Sequence, residues 1–242
     1  MAAVHQTDTI LYEVRQAALQ LSQTPPIGVY DSQDELAQLM GSLAPLAGMM
    51  VNDAYDWQSQ RLTFTATGDA VRTAWDMPAD FARFVDETGW SSSFLGPVTP
   101  LNAQDWALGK AWSTTYFTQM ACRIRNDQLQ FMSAPALGQV ITFEYVNRNW
   151  VKDADDPLTL KAKTDKNGDI PVFDWLLMVL ALKVKWLETK RMDNTGAMAD
   201  FNDRLRQLNG NEILGARLSL NGRRAPMRYL DGCNVPPTGF GL

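Results

Sequence analysis

The side chains of this chain that could carry chemistry are few, and their spacing argues against most reactions. Its single histidine, His5, stands in the N-terminal segment, which removes histidine-dependent nucleophile triads, Cys-His pairs and histidine metal sites. No phosphate-cradling Walker loop, no Gly-x-Gly-x-x-Gly after a strand and no spaced cysteine pairs occur. The nearest approach to a metal motif is Asp165-Lys166-Asn167-Gly168-Asp169-Ile170, which begins like a calcium loop with oxygens at its first, third and fifth places. It fails at the sixth place, where Ile170 replaces the turn-making glycine, and at the twelfth, where Leu176 replaces a bidentate glutamate; Pro171 also breaks it. The segment therefore reads as an Asn-Gly turn leading into a helix. Asp80, Asp86, Glu87 and Asp105 can in principle pair as general acid and base, but scattered surface carboxylates in an acidic segment account for them better. No enzymatic activity, cofactor or metal is expected.

Charge is unevenly placed. The net charge of -5 divides into 12 Lys+Arg against 21 Asp+Glu over residues 1–182 and 10 against 5 over residues 183–228. A basic segment thus follows an acidic body, which suits either an acidic partner or a solvated helix face. Aromatic residues do not alternate with the basic ones as a base-stacking platform requires. Of the two cysteines, Cys122 lies in a strand-like run, and both are expected as free thiols. The longest apolar run, residues 172–182, contains Asp174 and stops at Lys183, too short for a membrane span. The N-terminus lacks the basic flank and apolar stretch of a signal peptide, so synthesis in a cytosol is expected.

The elements that would position these groups follow from periodicity. With 45% hydrophobic residues the chain can bury a sizeable core. Residues 8–23 carry Ile10, Leu11, Val14, Ala17, Ala18 and Leu21 at helical spacing and end at Pro25-Pro26. A second helix opens after Asp31-Ser32 and carries Leu36, Leu39, Met40, Leu43, Ala47, Met50, Ala54 and Trp57, with a kink or split expected at Pro45. From Arg61 to Trp150 the texture becomes short β-like runs at 62–67, 71–75, 84–86, 121–125, 128–132 and 140–146. Asn126-Asp127 predicts a hairpin over 122–132, and Asn102 caps a short helix to Ala111 that buries Trp106. An acidic linker at 153–156 precedes a strand at 158–163, a turn at 166–168, a long helix over 171–192 with a basic end, and a further helix over 196–208. Trp57, Trp106, Trp175 and Trp186 fall on apolar helix faces, where core packing is the default. Trp75, Trp90 and Trp150 stand at strand ends. The expected fold is α+β: a helical bundle (1–58 and 157–222) interrupted by an inserted small β-sandwich or barrel (59–156), with an extended C-terminal tail (223–242).

This order carries a resemblance. Trp57, then Met77-Pro78-Ala79-Asp80-Phe81, Trp90 and Gly96-Pro97, then Arg123-Ile124 with residues 128–135, Phe143-Glu144-Tyr145 and Trp150, closing on Asp174-Trp175-Leu176-Leu177 and Trp186, resembles the head-to-tail adaptor (connector) proteins of tailed bacteriophages, including the tail tubular protein A-like family. The likeness covers roughly residues 30–210 and lies in landmarks of turn and packing; Met77 stands where related chains often have Leu, a volume-conserving change. It implies a structural virion protein at the head-tail junction, made in the host cytoplasm. Such a protein forms a ring of usually twelve neighbouring copies beneath the portal protein, meets tail nozzle, tail tube or fibre proteins, and passes double-stranded DNA through its lumen without specific binding during packaging, retention and ejection. No membrane partner is implied. The expected partner-binding residues are Lys183, Lys190 and Arg191 on the basic helix, with Arg223, Arg224 and Arg228 as charge-assisted donors and Tyr229, Phe240 and Leu242 as apolar anchors in the tail. The rival expectation is a β-rich tail module that binds carbohydrate or a receptor, which requires clusters of exposed tryptophan. A hydrolase with paired carboxylates would require two of them across one cleft.

Overall fold

The computed structural model describes residues 8–92, 96–111 and 120–215. They form an α+β fold with five α-helices and three sheets. Helix α1 (Ile10–Gln20) begins where Thr9 accepts the N–H of Tyr12. Its next free donors go to the carbonyls of a distant loop, Ile10 to Asp169 and Leu11 to Asn167, which satisfies groups that a helix start leaves open. Helix α2 (Glu35–Ala54) runs unbroken through Pro45, so the split expected there is absent. A mid-helix proline costs about 3 kcal/mol. Burial of Met40, Leu43 and Val51 returns about 1.5–3 kcal/mol each, enough to hold the helix together.

The strands β1 (Arg61–Thr67), β2 (Ala74–Asp76), β3 (Phe81–Phe84), β4 (Trp90–Ser91), β5 (Gly96–Pro97) and β6 (Thr99–Pro100) lead into helix α3 (Ala103–Ala111), followed by β7 (Ala121–Arg125), β8 (Gln128–Phe131) and β9 (Val140–Asn147). β9 organises one sheet: β1 pairs along its whole length, and β3 and β4 share its other edge, with β5 outside β4. The second sheet has the order β2-β8-β7-β6. Both sheets contribute to one apolar core, with Ala66, Ile141 and Phe143 from the first and Trp75, Cys122, Leu129 and Phe131 from the second. The β7–β8 hairpin turns at Asn126 and Asp127 with φ of 55° and 56°, the left-handed pair of a tight two-residue turn. The strand expected over 71–75 is shorter because the Asp69 carboxylate accepts the N–H groups of Val71 and Arg72 and holds a turn there. The strand expected at 84–86 lies earlier, at β3.

Beyond β9 the chain rejoins the helices. Trp150 and Val151 belong to the helical core, and β10 (Val151–Lys152) is the middle of a small sheet between β11 (Leu160–Lys161) and β12 (Ile170–Pro171). Residues 153–156, expected as a linker, are instead tied down: Lys161 bonds the fully buried Asp169 at 2.9 Å and reaches Asp153 and Asp165, while Lys166 bridges Asp153 and Asp155. Helix α4 (Trp175–Thr189) starts later than the apolar run suggested, because Ile170–Pro171 pairs as strand and Asp174 is the cap, accepting from Leu177 N–H at 3.1 Å. Consecutive residues from Leu177 to Leu182 are buried, which no one-faced helix permits. α4 is accordingly central, packed by α1, α2 and α5 (Thr195–Gly215). Arg204 of α5 grips the Asp174 carboxylate through Nε at 3.1 Å and Nη2 at 2.8 Å.

Candidate partner-binding surface

Of the expected partner-binding residues, Lys183 stands midway along α4, and Lys190 and Arg191 lie at its exit. Lys183 points along the α4–α5 seam, its Nζ 3.9 Å from the Asp200 carboxylate, and its neighbour Lys185 pairs with Glu188 at 2.9 Å. Half of the basic helix is thus neutralised locally. Lys190 and Arg191 differ. Both are exposed, and neither has an ion pair among the described residues. The helix closes on them: Lys190 N–H donates to Trp186 O, Arg191 N–H to Glu188 O and Met192 N–H to Leu187 O. Arg191 has φ of 55°, a left-handed conformation that costs an L-residue roughly 1–2 kcal/mol and that glycine adopts freely. A cation at a helix C-terminus is favoured by the backbone dipole. The result is two free cations beside Met192, which is 55% exposed. Arg223, Arg224, Arg228, Tyr229, Phe240 and Leu242 lie outside the described residues, as do His5 and Cys233.

The candidate carboxylates occupy separate settings. Asp80 accepts from the Tyr145 hydroxyl at 3.2 Å; burial, with Asp80 beside it, pushes that phenol up to about 12. Asp105 receives the side-chain N–H of Asn102, whose Oδ1 in turn accepts the Asp105 N–H at 2.8 Å and so caps α3 as the sequence predicted. Asp86 and Glu87 are exposed on the turn after β3. They border a groove of about 1300 Å³ between the two larger sheets, walled by Phe84, Trp90, Phe143 and Arg123. Arg123 stacks over Trp106, 4.2 Å from the ring centroid, and donates twice to Gln130. Two adjacent exposed carboxylates share one environment, whereas acid and base roles require environments that separate them. Around the calcium-like loop, the Lys161 ammonium itself sits among Asp153, Asp165 and Asp169. Asp169 also accepts the N–H groups of Ala154, Asp165 and Lys166. No group of metal-ligating side chains occurs among the described residues, and no helix there is long and apolar enough to cross a membrane.

Two features were not foreseen from sequence. Arg83 of β3 reaches the end of α2, donating to the carbonyls of Asn52 and Tyr55 at 3.0 Å each and to Asp56 at 3.0 Å. It joins the helical layer to the sheet and occupies carbonyls that the helix end leaves open. Asn167 does similar service elsewhere, its Oδ1 accepting the N–H groups of Val29 and Tyr30. Both contacts span long sequence distances and have no local signature. Among the tryptophans, Trp57, Trp75, Trp106, Trp150 and Trp186 are buried and Trp90 and Trp175 half-buried; Trp112 lies outside the described residues. No protein-family model matches this chain, and no curated protein matches it significantly.

Proposed function

We propose that this chain is a structural subunit of a phage head-to-tail adaptor, a helical bundle interrupted by an inserted β-sandwich that assembles as a ring between portal and tail. The observation that carries the reading is the way the chain closes. α1 and α2 from the beginning share one hydrophobic core with α4 and α5 from the end, including Ile10, Val14, Met40, Leu177, Met178 and Phe201, while the intervening strands enclose a second core of their own. That is the order of elements in which the resemblance lies. A ring subunit also needs a charged end free to engage a partner, and Lys190 and Arg191 supply one. The acidic balance of the body suits a lumen that passes duplex DNA, since each basic contact to phosphate strengthens retention in a salt-dependent way.

In this reading the subunit does no bond chemistry. It transmits geometry: Arg83 and the Asn52–Asn147 contact fix the sheet on the helices, and the basic end of α4, with the tail residues Arg223, Arg224, Arg228, Tyr229, Phe240 and Leu242, attaches the ring to the portal or to a neighbouring copy. The carbohydrate- or receptor-binding alternative rests on the aromatic groove beside Arg123; the absence of any exposed tryptophan among the described residues weighs against it. Sedimentation of the purified chain alone and with its cognate portal tests the proposal. Mostly monomer alone and a multi-copy complex with the portal is the expected result; no comigration at any ionic strength overturns it.

A further inference from the structure

We propose that the open edge of β1 is a strand-addition site, at which an extended segment of a partner protein pairs antiparallel and widens the first sheet by one strand. β1 is an outermost strand of that sheet and pairs with β9 from Arg61 to Thr67. Among the described residues no other helix or strand packs along it to more than a marginal degree. The direction of its backbone groups follows from the far edge of β9, where Val140 O accepts the N–H of Ser92 and Glu144 O that of Val85. Hydrogen-bonding direction alternates along a strand, so Ile141, Phe143 and Tyr145 bond β1, at their partners Ala66, Phe64 and Leu62. The N–H and C=O groups of Thr63, Thr65 and Thr67 therefore turn outward, and none has a hydrogen-bond partner among the described residues. Natural sheets blunt such edges with short strands, proline, charge or bulges. The other described edges carry these devices: β5 and β6 contain Pro97 and Pro100, β12 contains Pro171, β11 contains Lys161, β2 ends on Asp76, and β3 is bulged between Phe81 and Arg83. β1 has seven residues, no proline, and one charged side chain, Arg61, which stands at its start and pairs with Glu144.

The two faces of β1 define the chemistry of the partner. Thr63, Thr65 and Thr67 are exposed on one face. On the other, Leu62 is 42% exposed and Phe64 is half-buried against the core between the sheets. An added strand sets polar or β-branched residues beside the threonines and apolar residues beside Leu62 and Phe64. The occupant is thus an extended segment in which apolar and polar side chains alternate, held by main-chain hydrogen bonds and selected by every second side chain. β9 itself has this pattern, with Ile141, Phe143 and Tyr145 interleaved by Thr142 and Glu144. Its sequence fits the outer edge in the register that it already uses on the inner one, Thr142 opposite Thr65 and Glu144 opposite Thr63. The inference rests on the sheet and is independent of the adaptor reading.

The test uses the full chain and, as the probe, a fluorescently labelled synthetic peptide with the sequence of residues 140–147. Its anisotropy should rise saturably as protein is added, and hydrogen exchange of the Thr63 and Thr65 amides should slow. The same peptide N-methylated at the places of Thr142 and Glu144 lacks the donors that face β1, and two lost hydrogen bonds should weaken binding about tenfold or more. In the protein, Thr65→Pro removes an outward donor without touching a bond to β9, a position where an edge strand tolerates proline; it should weaken binding, whereas Thr65→Val should not. Absence of saturable binding overturns the proposal. Equal binding by the N-methylated peptide does so too, with no variant that has to fold. Thr63 and Thr65 amides already protected in the free chain, with a dimer on sedimentation, would assign the edge to a second copy and equally overturn it. Specific peptide binding by a chain that never joins a portal would retain this site and refute the adaptor reading. A ring on the portal without peptide binding would do the reverse.

Discussion

Gly48 of α2 faces the ring of Trp150, and a Cβ built there would stand 1.9 Å from Cη2 and 2.1 Å from Cζ2. Ordinary carbon contacts lie near 3.5–4.0 Å, so Gly48→Ala requires one of the two to move by more than an ångström. The ring has little room: Trp150 is 1% exposed and stacks on Phe173, centroid to centroid 5.8 Å, which in turn lies against Trp57 at 5.9 Å. Overpacking of this kind costs typically 1–3 kcal/mol, with this overlap at the upper end, while alanine's better helix propensity returns about 1 kcal/mol. The net expectation is a loss of about 2 kcal/mol, which at this chain length lowers the melting midpoint by about 4–8 °C. Gly210→Ala is the control, since nothing lies within 4 Å of its Cβ position, and it should be neutral or stabilising. Thermal and urea unfolding followed by tryptophan fluorescence measure both. A Gly48→Ala protein as stable as the parent would refute the seating of Trp150 on α2, and with it the joint between the helices and the chain returning from the strands.

Further expectations follow from the charges and the tail. Asp153 is held down to about 2 from the ordinary 3.8 by the Asp155 N–H and by Lys166; its contribution is complete above about 3.8 and disappears as pH falls toward 2. Asp153→Asn should therefore flatten the decline of melting midpoint with pH in that window, and an unchanged slope would show that the Lys161 and Lys166 cluster does not depend on it. Burial pushes the Cys122 thiol up to about 12, so a Cys233→Ser protein should not react with Ellman's reagent at pH 8 until denatured; rapid labelling of the folded chain would place Cys122 outside the core. Removing residues 223–242 should leave the melting midpoint unchanged yet prevent co-assembly with the portal. Equal binding by the truncated chain would transfer the anchoring role to Lys190 and Arg191 alone.

Local patterns made the elements legible where the side chains themselves impose the geometry. The β7–β8 hairpin shows its alternation and its Asn126-Asp127 turn, α1 shows one apolar face, and α3 shows its Asn102 cap. The small sheet of β10, β11 and β12 was not legible because its two-residue strands are too short to display a period. The start of α4 misled for a related reason: residues 171–174 continue the apolar run, yet Pro171 pairs as strand and Asp174 is spent on the cap and on Arg204. At Pro45 a kink or a split was the expectation, and the split does not occur because tertiary packing overrode the local cost. At the candidate surface the basic helix end was visible as composition. Which cations are free was not, since Asp200 neutralises Lys183 from another helix and Arg191 is set apart by a backbone angle.

Electron cryomicroscopy of the purified chain mixed with its cognate portal tests the central claim most directly. The account predicts a ring of copies on one end of the portal, with the basic end of α4 in contact and an open channel along the axis. Portal particles without added density, under conditions where the chain remains folded, would contradict it.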